Sequence, residues 1–272
     1  MSPQDTDSNP AGAAPEPELI RFAEDLADAA RPVALRYFRN PLEVEHKADA
    51  SPVTIADRTV ESTMREMITA RYPHHGILGE EHGGSNLEGA ETWVLDPIDG
   101  TQSFITGMPT FGTLIALLQH GRPVIGIVDM PALGERWAGA SSRATTLNGR
   151  PCRTRACREL RQASVYATSV DIFTPEELDA LNTVTARAAL RRFGGDCYSY
   201  ALLAAGYVDA VMESSLKPYD YLPLVPIIEG AGGVITDWTG AALHLRSDGR
   251  VIAAATPELH AELLSTLPEA FR

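Results

Sequence analysis

The sequence predicts an α+β protein built from layered helices and sheets. Three observations carry that reading. Apolar residues recur at helical steps from Leu19 to Tyr37 and again within 56–72. The short apolar runs of the middle cluster together, where a doubly wound parallel sheet would alternate each with a helix. A chain of 272 residues with 44% hydrophobic content can bury a sizeable core, as one large domain or two tightly joined halves.

Residues 1–17 are rich in Pro, Ala, Ser and Asp and are expected to form a disordered acidic tail. A helix is predicted from 19 to 37, where Leu19, Phe22, Ala23, Leu26, Ala27, Ala30, Ala34 and Tyr37 share three- and four-residue steps. Pro32 falls inside it and predicts a kink or a break. A second helix is predicted over 56–72, with Val60, Met64, Met67 and Ile68 on one face and Pro73 as its stop. Strands are predicted at 76–79, 93–95, 110–118 and 124–130, with a turn at His120-Gly121 between the last two. A further strand is expected at 165–168. A helix over 175–190 opens with Glu176 and Glu177, which suit the positive end of its dipole. Helix 196–205, strand 208–212, helix 219–231, strand 233–236 and a closing helix 257–267 complete the chain. The expected division is an N-terminal half, 18–150, and a C-terminal half, 151–272.

Charge excludes some functions. The formal net charge is −13, from 36 acidic and 23 basic residues. A nucleic-acid binder held by phosphate contacts needs a basic face instead. No apolar run approaches the roughly 20 residues of a membrane helix. The polar, acidic N-terminus does not read as a signal peptide. Cys152, Cys157 and Cys197 are an odd, small set without a CxxC pair. They predict reduced, buried thiols in a cytoplasmic protein, with no zinc ribbon.

The chemistry concentrates at Trp93-Val94-Leu95-Asp96-Pro97-Ile98-Asp99-Gly100-Thr101. An apolar strand runs into two carboxylates three residues apart. Pro97 fixes one backbone dihedral, and Gly100 permits a tight turn whose N–H groups can face an anion. Gly79-Glu80-Glu81 ends another strand, while Thr54-Ile55-Ala56-Asp57 and Lys217-Pro218-Tyr219-Asp220 each open a helix. Singly these have plainer readings: helix caps for Asp57 and Asp220, a solvated loop for Glu80-Glu81, a simple turn for D-P-x-D-G. If the four converge, their repulsion requires cations between them. Hard oxygen donors without His or Cys point to Mg²⁺ or Mn²⁺.

On these motifs the sequence resembles the inositol monophosphatase superfamily of metal-dependent, lithium-sensitive phosphatases. The resembling strings are Gly79-Glu80-Glu81, Trp93 to Thr101, and Tyr219-Asp220 followed by Glu229-Gly230-Ala231-Gly232-Gly233. The resemblance implies an αβαβα sandwich of the inositol monophosphatase and fructose-bisphosphatase type, and a homodimer. It implies two or three Mg²⁺ held by Glu80, Asp96, the Ile98 carbonyl, Asp99 and Asp220, with Asp57 helping a further ion. Water would be the nucleophile, oriented and deprotonated by Glu80 and by Thr101 linked to Asp57. The Gly100 and Thr101 amides would bind phosphate, and Lys47 resembles the lysine of a mobile loop near the site.

Within the superfamily, three strings resemble the histidinol-phosphate phosphatase branch: Thr101 to Gly107, Phe111 to Ala116, and Gly194-Gly195-Asp196-Cys197-Tyr198. Gln102 departs from that branch, which carries Arg or Lys there. Asp196 and Glu213 then imply a cationic substrate, since an ammonium–carboxylate contact is about twice as strong as a neutral hydrogen bond. Asp196 has a competing reading as a helix cap. The expected activity is Mg²⁺-dependent hydrolysis of L-histidinol phosphate, as in histidine biosynthesis. The alternatives are an inositol-1-phosphatase or broad-specificity phosphatase, and a non-catalytic regulatory protein working with RNA-linked partners, which the net charge disfavours.

Overall fold

The computed structural model describes residues 15–41, 43–46 and 52–271. Lys47 and most of the expected tail lie outside the described residues. Helix α1 (Pro17–Tyr37) and helix α2 (Ile55–Arg71) flank an antiparallel hairpin of β1 (Val44–His46) and β2 (Pro52–Thr54). Next come β3 (Gly76–Gly79), β4 (Gly83–Ser85), β5 (Glu91–Asp99) and the five-residue helix α3 (Thr101–Ile105). Strands β6 (Gly112–Gln119), β7 (Arg122–Met130), β8 (Glu135–Ala140), β9 (Thr146–Leu147) and β10 (Arg150–Pro151) follow. After them come β11 (Ser164–Ala167), α4 (Pro175–Thr185), β12 (Leu190–Phe193), α5 (Cys197–Ala204) and β13 (Ala210–Glu213). The chain closes with α6 (Pro218–Tyr221), α7 (Leu224–Gly230), β14 (Val234–Asp237), β15 (Val251–Ala254) and α8 (Pro257–Thr266).

Two large sheets and three helical layers result, beside the small β1-β2 pair. The first sheet has eight strands in the order β10-β9-β8-β7-β6-β5-β3-β4, and the second has five in the order β12-β11-β13-β15-β14. Strand alternation assigns each face to its own layer. Trp93 and Leu95 of β5 face α1 and α2, whereas Val94 faces the central layer of α5, α6 and α7. In the second sheet Val211 and Ala253 face that central layer, and Met212 and Ile252 face α4 and α8. The order helix, sheet, helix, sheet, helix is the expected αβαβα sandwich. No helix among the described residues is long and apolar enough to cross a membrane.

Small residues let the layers meet. Ala23, Ala27, Ala30 and Ala34, with Leu19 and Leu26, form the buried stripe of α1. A methyl group at Gly126 of β7 would stand 2.0 Å from the Pro223 carbonyl oxygen, and one at Gly139 of β8 would stand 2.6 Å from that of Pro226. The main chain around α7 therefore sits directly on the sheet. Charge also ties α1 down. Asp129 of β7 is fully buried and accepts from Arg31 Nη2 at 2.6 Å and Arg136 Nε at 2.6 Å.

Several elements differ from the sequence-based expectation. Helix α1 starts at Pro17 and runs past Pro32 without a break. Pro32 and Asp28, whose carbonyl loses its helical donor, are both exposed, so water can satisfy that carbonyl. Helix α4 ends at Thr185, because 190–193 pairs parallel with β11. The good helix propensity of Ala186 to Leu190 yields to that pairing. The expected helix 219–231 is split at Pro223, which has no N–H to donate. Strands β8 and β15 were not predicted, although β15 lies between β13 and β14.

Gly126→Ala should cost about 1–3 kcal/mol of stability through overpacking. Urea unfolding checks this, and an unchanged midpoint would show that α7 can lift away.

Candidate active site

Residues three apart in a regular strand point to opposite faces. Asp96 and Asp99 escape that rule because β5 bulges. Asp96 pairs with Leu114 and Asp99 with Gly112, so three steps on β5 oppose two on β6. The extra residue returns both carboxylates to one side. The Thr113 hydroxyl donates to the Pro97 carbonyl at 2.9 Å and pins the bulge. Helix α6 packs on β5 and β6 and brings in Asp220. One carboxylate oxygen each from Asp96, Asp99 and Asp220 lies within 4.8 Å of the others.

Main-chain donors aim these groups. Asp96 accepts the Ile98 N–H at 3.0 Å, Asp99 the Cys197 N–H at 2.7 Å, and Asp220 the Lys217 N–H at 2.7 Å. Asp57, fully buried, is not the N-cap of α2. That place belongs to Thr54, and Asp57 Oδ2 accepts the Thr54 N–H at 2.8 Å in a capping box. The Thr101 hydroxyl lies 3.1 Å from the Ile98 carbonyl oxygen and 3.4 Å from Asp57 Oδ1. It has one proton to share between them. The Glu80 N–H donates to the Leu95 carbonyl at 3.2 Å, which sets Glu80 beside Asp96. Gly100 takes a left-handed conformation (φ 78°) and opens α3.

The second sheet supplies a cavity of about 80 Å³ lined by Asp99, Asp196, Tyr200, Glu213, Asp220 and neighbours. Asp196 stands at the N-cap position of α5 but makes no side-chain cap bond, which removes the competing helix-cap reading. Its carboxylate instead accepts the Ser103 hydroxyl at 2.6 Å and lies against Gly100, where a methyl group would meet it at 2.8 Å. Its backbone has φ 47° and ψ −137°, a strained conformation for a residue with a side chain. Glu213 is buried and accepts the Thr168 N–H at 2.7 Å and the Tyr200 hydroxyl at 3.0 Å.

Burial and mutual repulsion dominate the electrostatics. Burial first, then Glu80, Asp99 and Asp220, hold the Asp96 carboxyl well above the usual range. Burial, Asp196 and Asp220 do the same to Asp99. Asp220 is pushed up to about 7, mainly by burial. Burial also raises Asp196 and Glu213, against the hydrogen bonds they accept. A cluster of buried oxygen donors that resist ionisation together fits hard divalent cations, which would relieve the repulsion.

Of the residues singled out from sequence, the fold gathers Asp57, Glu80, Asp96, Ile98, Asp99, Gly100, Thr101, Asp196, Glu213 and Asp220 around this cluster and cavity. Gln102 is exposed on α3. Sequence reasoning missed Tyr200, Ser103 as the partner of Asp196, and Glu61, a buried acid of α2. Only Glu61 left a trace, as an acid flanked by the apolar stripe of Val60 and Met64.

A sequence profile of the inositol monophosphatase family matches residues 16–271. The chain is 48% identical over 262 residues to a chloroplastic bifunctional phosphatase, IMPL2, of Arabidopsis thaliana, covering 92% of this chain and 76% of that one. It is 36% identical over 255 residues to the histidinol-phosphatase of Mycobacterium tuberculosis, covering 91% and 97%. The structure of an inositol monophosphatase from Zymomonas mobilis superposes with a TM-score of 0.85 at 43% identity, covering 92% of this chain and 97% of that one.

The raised carboxyls fix the sign of the pH response. Their folded-state pKa exceeds the unfolded value, so the metal-free fold binds extra protons between about pH 4 and the raised values. Its stability should fall as pH rises through that window. Thermal melts in chelator should show a lower Tm at about pH 8 than at about pH 5. Added Mg²⁺ should raise Tm more at the higher pH. Equal gains at both would remove the cluster from the explanation.

Proposed function

The chain belongs to the inositol monophosphatase family of phosphatases, and on that premise we propose that it hydrolyses L-histidinol phosphate with Mg²⁺ as its cofactor. The observation that supports this substrate is Asp196. A strained, half-buried carboxylate that caps nothing and lines the cavity beside the cluster suits a cationic leaving group. Glu213, on the same cavity, offers a second acceptor. The substrate's ammonium and imidazole supply the matching donors.

In this reading Asp96, Asp99, Asp220, Glu80 and the Ile98 carbonyl hold two or three Mg²⁺, with Asp57 serving a further ion and Mn²⁺ an acceptable replacement. Bound there, such ions would supply a lower pKa for the attacking water and positive charge for the phosphate and leaving oxygens. Thr101 turns its proton toward Asp57 and offers a lone pair to the water. Glu80 takes the water's other proton. The N–H groups of Gly100 and Thr101, at the opening of α3, orient phosphate oxygens. The reading also expects a homodimer, checked by light scattering at twice the chain mass, and a cytoplasmic location, in keeping with free thiols at Cys152, Cys157 and Cys197.

A second reading, an inositol-1-phosphatase or broad-specificity phosphatase, is favoured by Gln102, which places no cation on α3. Steady-state kcat/KM with Mg²⁺ should be higher for L-histidinol phosphate than for myo-inositol 1-phosphate; the reverse preference would establish the second reading. Asp99→Asn should abolish turnover in a chain that still folds, and near wild-type activity would remove the cluster from the chemistry. Asp196→Ala should raise KM for histidinol phosphate by about tenfold, as expected for a lost charge-assisted contact of about 1.5 kcal/mol. Its effect on a neutral ester should be smaller, and equal effects would reject Asp196 as the ammonium partner.

A further inference from the structure

Helix α2 does more than carry Asp57. One turn later on the same helix, Glu61 is fully buried. Its carboxylate accepts the Glu81 N–H at 2.7 Å and the His82 N–H at 3.1 Å, the two peptides that directly follow Glu80. The Arg65 Nε donates to the same carboxylate at 2.6 Å. Arg65 also donates to the Gly83 carbonyl, and Ser62 lies 3.1 Å from His82 Nε2. Three residues of α2 thus grip the turn 80–83. On its other side, the Glu80 N–H is bonded to Leu95, the residue before Asp96.

Gly79 belongs to the same device. A methyl group there would come within 2.1 Å of a Glu61 carboxylate oxygen. The glycine before Glu80 is therefore the seat of the Glu61 carboxylate. We propose that Glu61 is a positioning residue for Glu80: its carboxylate clamps the turn so that Glu80 meets the cation cluster at a fixed distance from Asp57 and Asp96. The proposal rests on the metal-dependent phosphatase reading above. A buried carboxylate with one arginine and two backbone donors is strongly held, because bonds to an ionised acceptor are about twice as strong as neutral ones. Those bonds end on the peptides behind a candidate ligand, where a loss of order acts on metal affinity.

The test uses the full chain, with Mn²⁺ titrations followed by electron paramagnetic resonance and phosphatase activity followed against Mg²⁺ concentration. Glu61→Gln removes the charge and one good acceptor. Gly79→Ala keeps the carboxylate and disturbs only its seat. Each should weaken Mn²⁺ binding about 10–100-fold. Excess Mg²⁺ should restore most of kcat, with KM for the ester within about twofold of wild type, since the substrate contacts lie elsewhere. Folded variants with wild-type Mn²⁺ affinity would overturn the role of Glu61. Failure of both to fold would assign Glu61 to fold stability alone and likewise overturn it. A wild-type chain that binds no Mn²⁺ and releases no phosphate would instead overturn the phosphatase reading, and the proposal with it.

Discussion

Carboxylates held close together in a buried site repel, and the arrangement of both sheets around Asp96, Asp99 and Asp220 answers that repulsion. Each acid is aimed by a main-chain N–H: Ile98 for Asp96, Cys197 for Asp99, Lys217 for Asp220, Thr54 for Asp57 and Thr168 for Glu213. Backbone donors belong to the elements themselves, so the geometry of the cluster follows from where strands end and helices begin. In each case the donor takes one oxygen; the second oxygen of Glu213 meets the Tyr200 hydroxyl and that of Asp57 the Thr101 hydroxyl. The cost of gathering these charges is visible in their raised pKa values. It leaves the cluster with a standing demand for positive charge.

The two sheets contribute different things. Strand β5 and helix α6 bring the trio, while the turn after β12 and the end of β13 bring Asp196 and Glu213. The strain at Asp196 belongs to the second contribution. It follows Gly194 and Gly195, both at positive φ, and bends the chain so that its carboxylate crosses to Gly100 of the first half. Strain of this kind costs of order 1–3 kcal/mol and persists only where the surroundings over-determine it. Here the Ser103 hydroxyl and the N-terminus of α5 do so. Because Cys197, the residue after Asp196, donates its N–H to Asp99, a change in this turn would reach both the cavity and the trio.

Much of the site was legible because its chemistry is local in sequence. Asp96, Pro97, Asp99, Gly100 and Thr101 sit within six residues, and their types specify hard oxygen donors and a turn. Helices α1 and α2 were legible from periodicity and β6 and β7 as apolar runs, while the layered sandwich was implied by the family resemblance. The bulge in β5 was not, since it exists only as a register against β6. Strand β15 was hidden by its alanines, which favour helix. The i, i+4 spacing of Glu61 and Arg65 is that of an ordinary solvated helix pair and gives no sign of burial. Their burial depends on Gly79, which is distant in sequence. Tyr200 lies on a helix apolar all round, where periodicity cannot say which face meets Glu213.

The bulge has a genetic corollary. Because Asp96 and Asp99 share a side only through one surplus residue, this segment depends on its length as strictly as on its composition. Loss of a single codon between the two aspartates would straighten the strand and leave them two apart, still on one face but without the turn at Pro97. Gain of a codon with the bulge kept would send one of them to the α1 and α2 side, into apolar packing around Trp93 and Leu95. Substitution at Ile98 would keep the carbonyl that meets the Thr101 hydroxyl, because that group belongs to the main chain. The stretch therefore constrains its length as well as its residue types.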